Sequence, residues 1–226
     1  MNKGGAKPKG KVNIKWSPDF AYAVGLIASD GNLSPDGRHI VFTSKDIELA
    51  KKFQQSLGIS GHIGKKARSA KNEKNYYVVQ FSDVLFYRFL ETIGLMQKKS
   101  RIIGKIKIPK KYFFDFLRGS FDGDGSFYSY WDPRWKSSFM FYTIFVSASK
   151  EHVDWLRHEI QMSLGVMGHL TKADKSSVYQ LKYAKRESWK VLKNMYYDAK
   201  VVCLSRKRLK VERALAIERK GASLIK

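Results

Sequence analysis

Cysteine is nearly missing from this chain, with Cys203 the only one. A lone thiol excludes an internal disulfide and any multi-cysteine zinc site, and in a folded chain it reads as a small buried hydrophobe. Long apolar runs are missing too. No stretch approaches the roughly 18 uncharged residues of a membrane-spanning helix, and the basic opening, residues 1–11, lacks the apolar core of a secretory signal. These absences point to a soluble intracellular protein. Acidic residues are scarce, 20 against 43 Lys and Arg, which leaves a formal net charge of +23 at pH 7.

What is present is material for a core. Hydrophobic residues make up 43% of the 226 and aromatics 14%, more than a disordered basic tail carries, and the length suits one large domain or two small ones. The charge, at a pI near 10.0, calls for a polyanionic partner, nucleic acid first. Ribosomal proteins share such a charge but rarely this aromatic content, and membrane-surface proteins concentrate theirs on one amphipathic helix.

The chain contains itself twice. Residues 56–63 read Ser-Leu-Gly-Ile-Ser-Gly-His-Ile and residues 163–170 read Ser-Leu-Gly-Val-Met-Gly-His-Leu, identical at five of eight positions. Four more anchors recur in the same order: residues 23–31 with 117–125, Ser44-Lys45 with Ser149-Lys150, 77–81 with 179–183, and 95–99 with 204–208. Each copy reads as helix, hairpin, helix, hairpin, helices. The expected organisation is a flexible basic arm at 1–14, a first repeat at 15–104, a linker at 105–111 and a second repeat at 112–226. In the first copy Ser17-Pro18-Asp19 opens a helix that runs to about Asp30, where Gly31 stops it. Strands follow at 38–44, 62–68 and 76–82, with helices at 45–57 and 83–93 and a helical stretch at 98–104. The matching first hairpin of the second copy is lengthened by an insertion at 128–138.

The two leading helices are apolar over most of their circumference, so they belong inside. Small residues four apart, Gly25 with Ser29 and Gly119 with Gly123, let two such backbones approach closely. Packed together, they bring Asp30 and Asp124 side by side at two negative helix ends, where the carboxylates repel until a cation joins them. Oxygen ligands with room for water and phosphate suit Mg²⁺, and a metal so placed supports phosphodiester hydrolysis. Ser29 and Gly123, one residue before each aspartate, are the neighbouring candidates for the metal set. The string from Asp122 to Ser126 is not a calcium loop, since Phe127 stands where that loop needs Gly and Pro133 where it needs Glu. The alternative for either aspartate alone is an ordinary helix end before Gly.

Residues 23–31 and 117–125 resemble the paired LAGLIDADG motifs of homing endonucleases, and the likeness extends from about Trp16 to Arg219. It implies an α+β fold of two pseudo-symmetric αββαββα repeats, with the motif helices at the centre and two four-stranded antiparallel sheets forming a DNA-binding saddle. The implied activity is that of a monomeric, intron-encoded, site-specific endonuclease that cuts both strands of a long asymmetric target and leaves short 3′ overhangs. Mg²⁺ is the implied cofactor, with Mn²⁺ substituting and Ca²⁺ supporting binding without efficient cleavage. The resemblance makes Asp30 and Asp124 the metal-binding acids and puts Lys98 and Lys207 in the place of a basic residue near the scissile phosphates, with Lys99 and Arg208 as neighbours. Ser44 and Ser149 fall near the place of a water-organising Gln that this chain lacks. The alternative keeps the fold without the cut: a sequence-specific DNA-binding protein, or a maturase with intron RNA as partner.

Strand alternation then gives the candidate DNA contacts. In the first repeat the outward set is His62, Lys66, Arg68, Val78 and Gln80; in the second it is His169, Thr171, Gln180 and Lys182. Such side chains can read base edges from a ribbon in the major groove. Strand length predicts a double-stranded, non-palindromic site of roughly 16 to 22 bp. The expected location is at DNA, in a bacterial or archaeal cytoplasm or in an organelle.

Overall fold

The structure, a computed structural model, describes residues 10–67, 76–135, 138–172 and 177–223, with side chains as far as residue 218. The first repeat runs α1 (Pro18–Asp30), β1 (Gly31–Leu33), β2 (His39–Ser44), α2 (Ile47–Leu57), β3 (Gly64–Lys66), β4 (Tyr76–Ser82) and α3 (Val84–Thr92). The second runs α4 (Phe113–Gly123), β5 (Ser126–Trp131), β6 (Phe139–Ser147), α5 (Lys150–Leu164), β7 (His169–Lys172), β8 (Tyr179–Tyr183) and α6 (Lys185–Met195), followed by α7 (Ser205–Ser223). Two four-stranded antiparallel sheets result, in the same order: β1-β2-β4-β3 and β5-β6-β8-β7. This is the α+β pattern of two αββαββα units.

The first helix forms as its sequence dictates. Ser17 Oγ accepts from the Phe20 amide (3.1 Å), Pro18 occupies the first turn, and the Gly31 amide closes the end on the Ile27 carbonyl. Every residue from Phe20 to Ile27 is buried, as a helix apolar all round requires. Its partner is α4. A Cβ on Gly25 would lie 2.8 Å from the Ser120 nitrogen and 3.0 Å from the Gly119 Cα, and a Cβ on Gly119 would lie 2.9 Å from the Tyr22 carbonyl carbon. The backbones therefore touch where side chains are missing. Each sheet packs its inner face on its own motif helix, β1 and β2 on α1, and β6 on α4.

Helices α2 and α5 both end on a left-handed glycine, Gly58 (φ 64°) and Gly165 (φ 65°), so the matched Ser-Leu-Gly strings are helix ends. Helix α5 is one turn longer, 15 residues against 11. Cys203 is buried, as expected of an inert thiol.

Several sequence expectations need correction. The strand expected at 62–68 is only Gly64–Lys66, with His62 exposed in the coil before it. The helical stretch at 98–104 is a single 3-10 turn, Lys99–Arg101, because the chain then binds the other repeat through Ile103 and Gly104. The longer hairpin expected in the second repeat is present, and residues 128–131 of the insertion extend β5 to six residues where β1 has three. Residues 10–14 are not a loose arm either. The Lys11 and Val12 amides donate to Asp83 Oδ2 (2.6 and 2.9 Å), and Val12 is buried. Asp83 also caps α3 through the Phe86 amide, so one carboxylate anchors both segments.

Candidate active site

The close helix pair delivers both motif aspartates to one place. Asp30 is the last residue of α1 and half-buried; Asp124 follows α4 and is exposed. A Cβ on Gly123 would stand 3.0 Å from Asp30 Oδ2 and 2.8 Å from the Ser29 Cβ. Glycine at 123 thus keeps open the space in which the carboxylate sits. Ser29 turns its hydroxyl back onto α1, donating to the Leu26 carbonyl (3.1 Å).

Two buried lysines frame the aspartates with matching geometry. Lys99 Nζ donates to the carbonyls of Gly31 (2.7 Å) and Ser29 (3.3 Å), around the end of α1. Lys207 Nζ donates to the carbonyls of Gly125 (2.6 Å), Asp122 (3.0 Å) and Phe121, around the end of α4. Each ammonium meets the negative end of a helix dipole. Burial lowers both lysines from 10.5 to about 8, opposed by the charges of Asp30 and Asp124, which act on both. Four ionisable groups therefore share one site.

This pairing revises the expected one. Lys207 is in place, but its counterpart is Lys99. Lys98 is exposed and in a left-handed conformation (φ 51°). Arg208 is likewise outside the cluster, bonded to Glu212 and the Ala199 carbonyl. A sequence match slides by one residue; a buried Nζ on a matching carbonyl does not.

The serine correspondence shifts as well. Ser44 pairs with Tyr77 across the sheet and accepts from the amide two residues on, that of Asp46 (3.1 Å). The residue doing the same in the second repeat is Ser147, which pairs with Tyr179 and accepts from the Ser149 amide (3.1 Å). Ser149 instead caps α5 and donates to the Ile103 carbonyl. Neither Ser44 nor Ser149 replaces the missing Gln symmetrically. On the Asp30 side, a cleft of about 330 Å³ is lined by Asp30, Thr43, Lys66, Ala67 and Tyr76.

Each lysine segment is also held by the opposite repeat. From α2, Glu48 Oε1 accepts from the Ser205 amide (3.0 Å), Lys52 Nζ donates to the Cys203 carbonyl, and Asp46 pairs with Arg206 (2.7 Å). From α5, Ser149 Oγ donates to the Ile103 carbonyl, and His152 Nδ1 lies 2.9 Å from the Gly104 carbonyl. A carbonyl can only accept, so Nδ1 carries the proton, and burial drops His152 to about 4. Thus α2 steadies the start of α7 near Lys207, and α5 steadies the segment after Lys99.

Sequence reasoning missed a second layer of buried charge. Asp122 aligns with Ala28, so repetition gave no signal for it; its Oδ2 accepts from Tyr22 Oη (2.9 Å) and the Leu204 amide (2.6 Å), and burial raises it to about 6. Its Oδ1 is buried without a partner. Arg118, fully buried, bonds Asp115 (2.7 Å) and the carbonyls of Met195 (2.6 Å) and Val202 (2.8 Å). These contacts fix the chain between α6 and α7, and hence Lys207, onto α4.

The donor chemistry fits a hard divalent cation. Two carboxylates at facing helix ends supply oxygen ligands only. Among the described residues no three His, Cys, Asp or Glu gather into a metal cluster, so backbone, water or phosphate oxygens would complete the set. The Ser29 carbonyl already receives Lys99, which leaves it a secondary candidate beside Gly123.

The register sorts the expected DNA contacts. On the first sheet's outer face Val41 pairs with Gln80, Thr43 with Val78, and Lys66 with Tyr76; Gln80 and Lys66 are exposed. On the second, His169 pairs with Lys182 and Thr171 with Gln180, all on one face. Arg68 lies outside the described residues.

Residues 17–94 match the LAGLIDADG-like domain family. No curated protein matches the chain. Among solved structures, meganuclease I-SmaMI bound to uncleaveable DNA aligns with a TM-score of 0.61 at 15% identity, over 92% of each chain. I-DmoI in complex with DNA and Mn aligns with a TM-score of 0.51 at 17% identity, over 80% of this chain and 97% of that one. Full-length DUF199/WhiA from Thermatoga maritima aligns with a TM-score of 0.55 at 14% identity; 92% of this chain is covered, but only 63% of that longer protein. The shared feature is the LAGLIDADG homing-endonuclease fold. No helix among the described residues is long and apolar enough to cross a membrane.

Proposed function

We propose that this LAGLIDADG homing endonuclease-like protein is a divalent-metal-dependent, site-specific DNA endonuclease, intron-encoded and monomeric, that cuts both strands of a long asymmetric target and leaves short 3′ overhangs. The observation that supports this most is the duplicated set of Asp30 with Lys99 and Asp124 with Lys207. Burying an ammonium is costly, and two of them placed about two metal-suited acids match what two strand cuts require. Asp30 and Asp124 would hold the cation, Mg²⁺ or Mn²⁺. When bound, it supplies Lewis-acid stabilisation of phosphodiester oxygens and a more acidic water. Lys99 and Lys207, mostly charged at pH 7 with pKa values of about 8, would place positive charge beside the site where negative charge builds on the leaving oxygen. The charge of +23 draws the duplex in.

The test uses a duplex recovered by binding selection from a randomised library. Asp30→Asn and Asp124→Asn, at saturating enzyme in Mg²⁺, should each lower cleavage by more than about 100-fold while Ca²⁺-supported binding stays within twofold. A double variant that cuts at the wild-type rate would remove the assignment. A non-cutting DNA-binding protein is the second reading, favoured by the backbone-bound Ser44 and Ser149 hydroxyls. It becomes the right one if the wild-type chain binds its selected site and cuts it in neither Mg²⁺ nor Mn²⁺.

A further inference from the structure

The two outer sheet faces differ in chemistry. On the second, β5 and β6 bring three tyrosines together: Tyr128 pairs directly with Tyr142, and Tyr130 follows two residues along the same face. Their rings lie nearly parallel, Tyr128 to Tyr142 at 5.1 Å and 23°, Tyr128 to Tyr130 at 6.3 Å and 12°, and Tyr130 to Tyr142 at 6.2 Å and 12°. Lys182, from β8, sets its Nζ 4.2 Å from the Tyr142 ring centre. Tyr128 and Tyr130 remain 39% and 40% exposed. Met140, paired with Tyr130, extends the same apolar surface. Among the described residues the first sheet has no such ladder: β1 stops at Leu33, and the outer face carries a single tyrosine, Tyr76, with Val41, Val78, Thr43, Lys66 and Gln80.

We propose that this tyrosine ladder is a thymine reader, which makes the half-site under the second sheet T-rich where β5 and β6 meet it. This rests on the DNA-directed function above and adds a specificity to it. In the major groove the thymine C5-methyl is the base feature that apolar surface can recognise without a directed hydrogen bond. Stacking holds the rings in place before DNA arrives, so little side-chain freedom is lost on contact. Lys182 adds a cation to the same patch, which suits a polyanion better than an apolar protein partner. The first sheet, without the ladder and with Lys66 and Gln80 exposed, carries a weaker bias.

Selection of bound duplexes by the full chain in Ca²⁺ should enrich T in one half-site only. Replacing thymine by deoxyuridine there should weaken binding about three- to fourfold per contacted methyl, from the value of one buried methylene; the same replacement in the other half should change it by less than about 1.5-fold. Threonine keeps strand propensity, so Tyr128→Thr with Tyr130→Thr should abolish both the T enrichment and the deoxyuridine effect while the other half-site is selected unchanged. A selected site with no T bias, or with equal deoxyuridine effects in both halves, overturns the thymine reader and leaves the DNA-binding function standing. Failure to select any site overturns both. Ladder-dependent dimers of the wild-type chain that exclude DNA would assign the face to a second copy and also refute the proposal.

Discussion

Replacing Lys99 by Met separates a buried functional lysine from an exposed neighbour in two independent measurements. The methionine keeps the apolar stem and removes the charge. Lys99 falls from 10.5 to about 8 on folding, so at pH 7, where it is charged in both states, its burial costs the folded protein about 3 kcal/mol. The folded state releases the proton first; between pH 8 and pH 10.5 the unfolded chain binds more protons, and stability rises with pH. The penalty is full below pH 8 and gone above pH 10.5. Wild type should therefore gain about 1 kcal/mol on Lys99→Met between pH 7 and pH 9. The absolute difference at pH 7 also contains the Ser29 and Gly31 carbonyls left without Nζ, about 1–3 kcal/mol, so the trend is the readout. Urea denaturation followed by circular dichroism at the two pH values measures it. In single-turnover assays at pH 7, Lys99→Met should slow the cut of one strand by about 100-fold, whereas Lys98→Met should change neither rate nor trend. Identical behaviour of the two variants in both assays would refute the assignment of Lys99.

Gly119→Ala should destabilise the fold by about 3 kcal/mol, because the new Cβ would lie 2.9 Å from the Tyr22 carbonyl carbon; a midpoint unchanged in urea would show that the helices can separate freely. Glu48→Ala removes the acceptor for the Ser205 amide and should slow the Lys207-dependent cut several-fold with the other cut unaffected, as scored by strand-specific labels; equal slowing of both strands would argue against a local latch. Specific binding should fall with salt at a log-log slope near −7 if about 8 phosphates are neutralised, and a slope near zero would point away from DNA.

How much could be read in advance depends on how local the determining physics is. The motif helices were legible because their causes are local: a serine cap on α1, and in both helices an apolar run and small residues four apart, place Asp30 and Asp124 at two helix ends. The repeat itself follows from the matched strings, and the two-sheet α+β architecture from the family resemblance that those strings carry. What the tertiary structure decided is which lysine lies buried beside the aspartates. Lys98 and Lys99 are adjacent and both cationic, and the matched strings set Lys98 against Lys207; the fold shifts that register by one, with φ 51° at Lys98 and Lys99 Nζ reaching the Gly31 carbonyl as Lys207 Nζ reaches that of Gly125. The same holds for Ser147 against Ser149, whose correspondence is set by strand pairing across the sheet, and for Asp122, which repetition does not mark. The latches from Glu48 and His152 join residues distant in sequence, Glu48 through the Ser205 amide and hydroxyl and His152 through the Gly104 carbonyl. A sequence records periodicity and local capping; it does not record which of two neighbouring charges is turned inward, because that is fixed by the closure of segments that meet only when both repeats are folded.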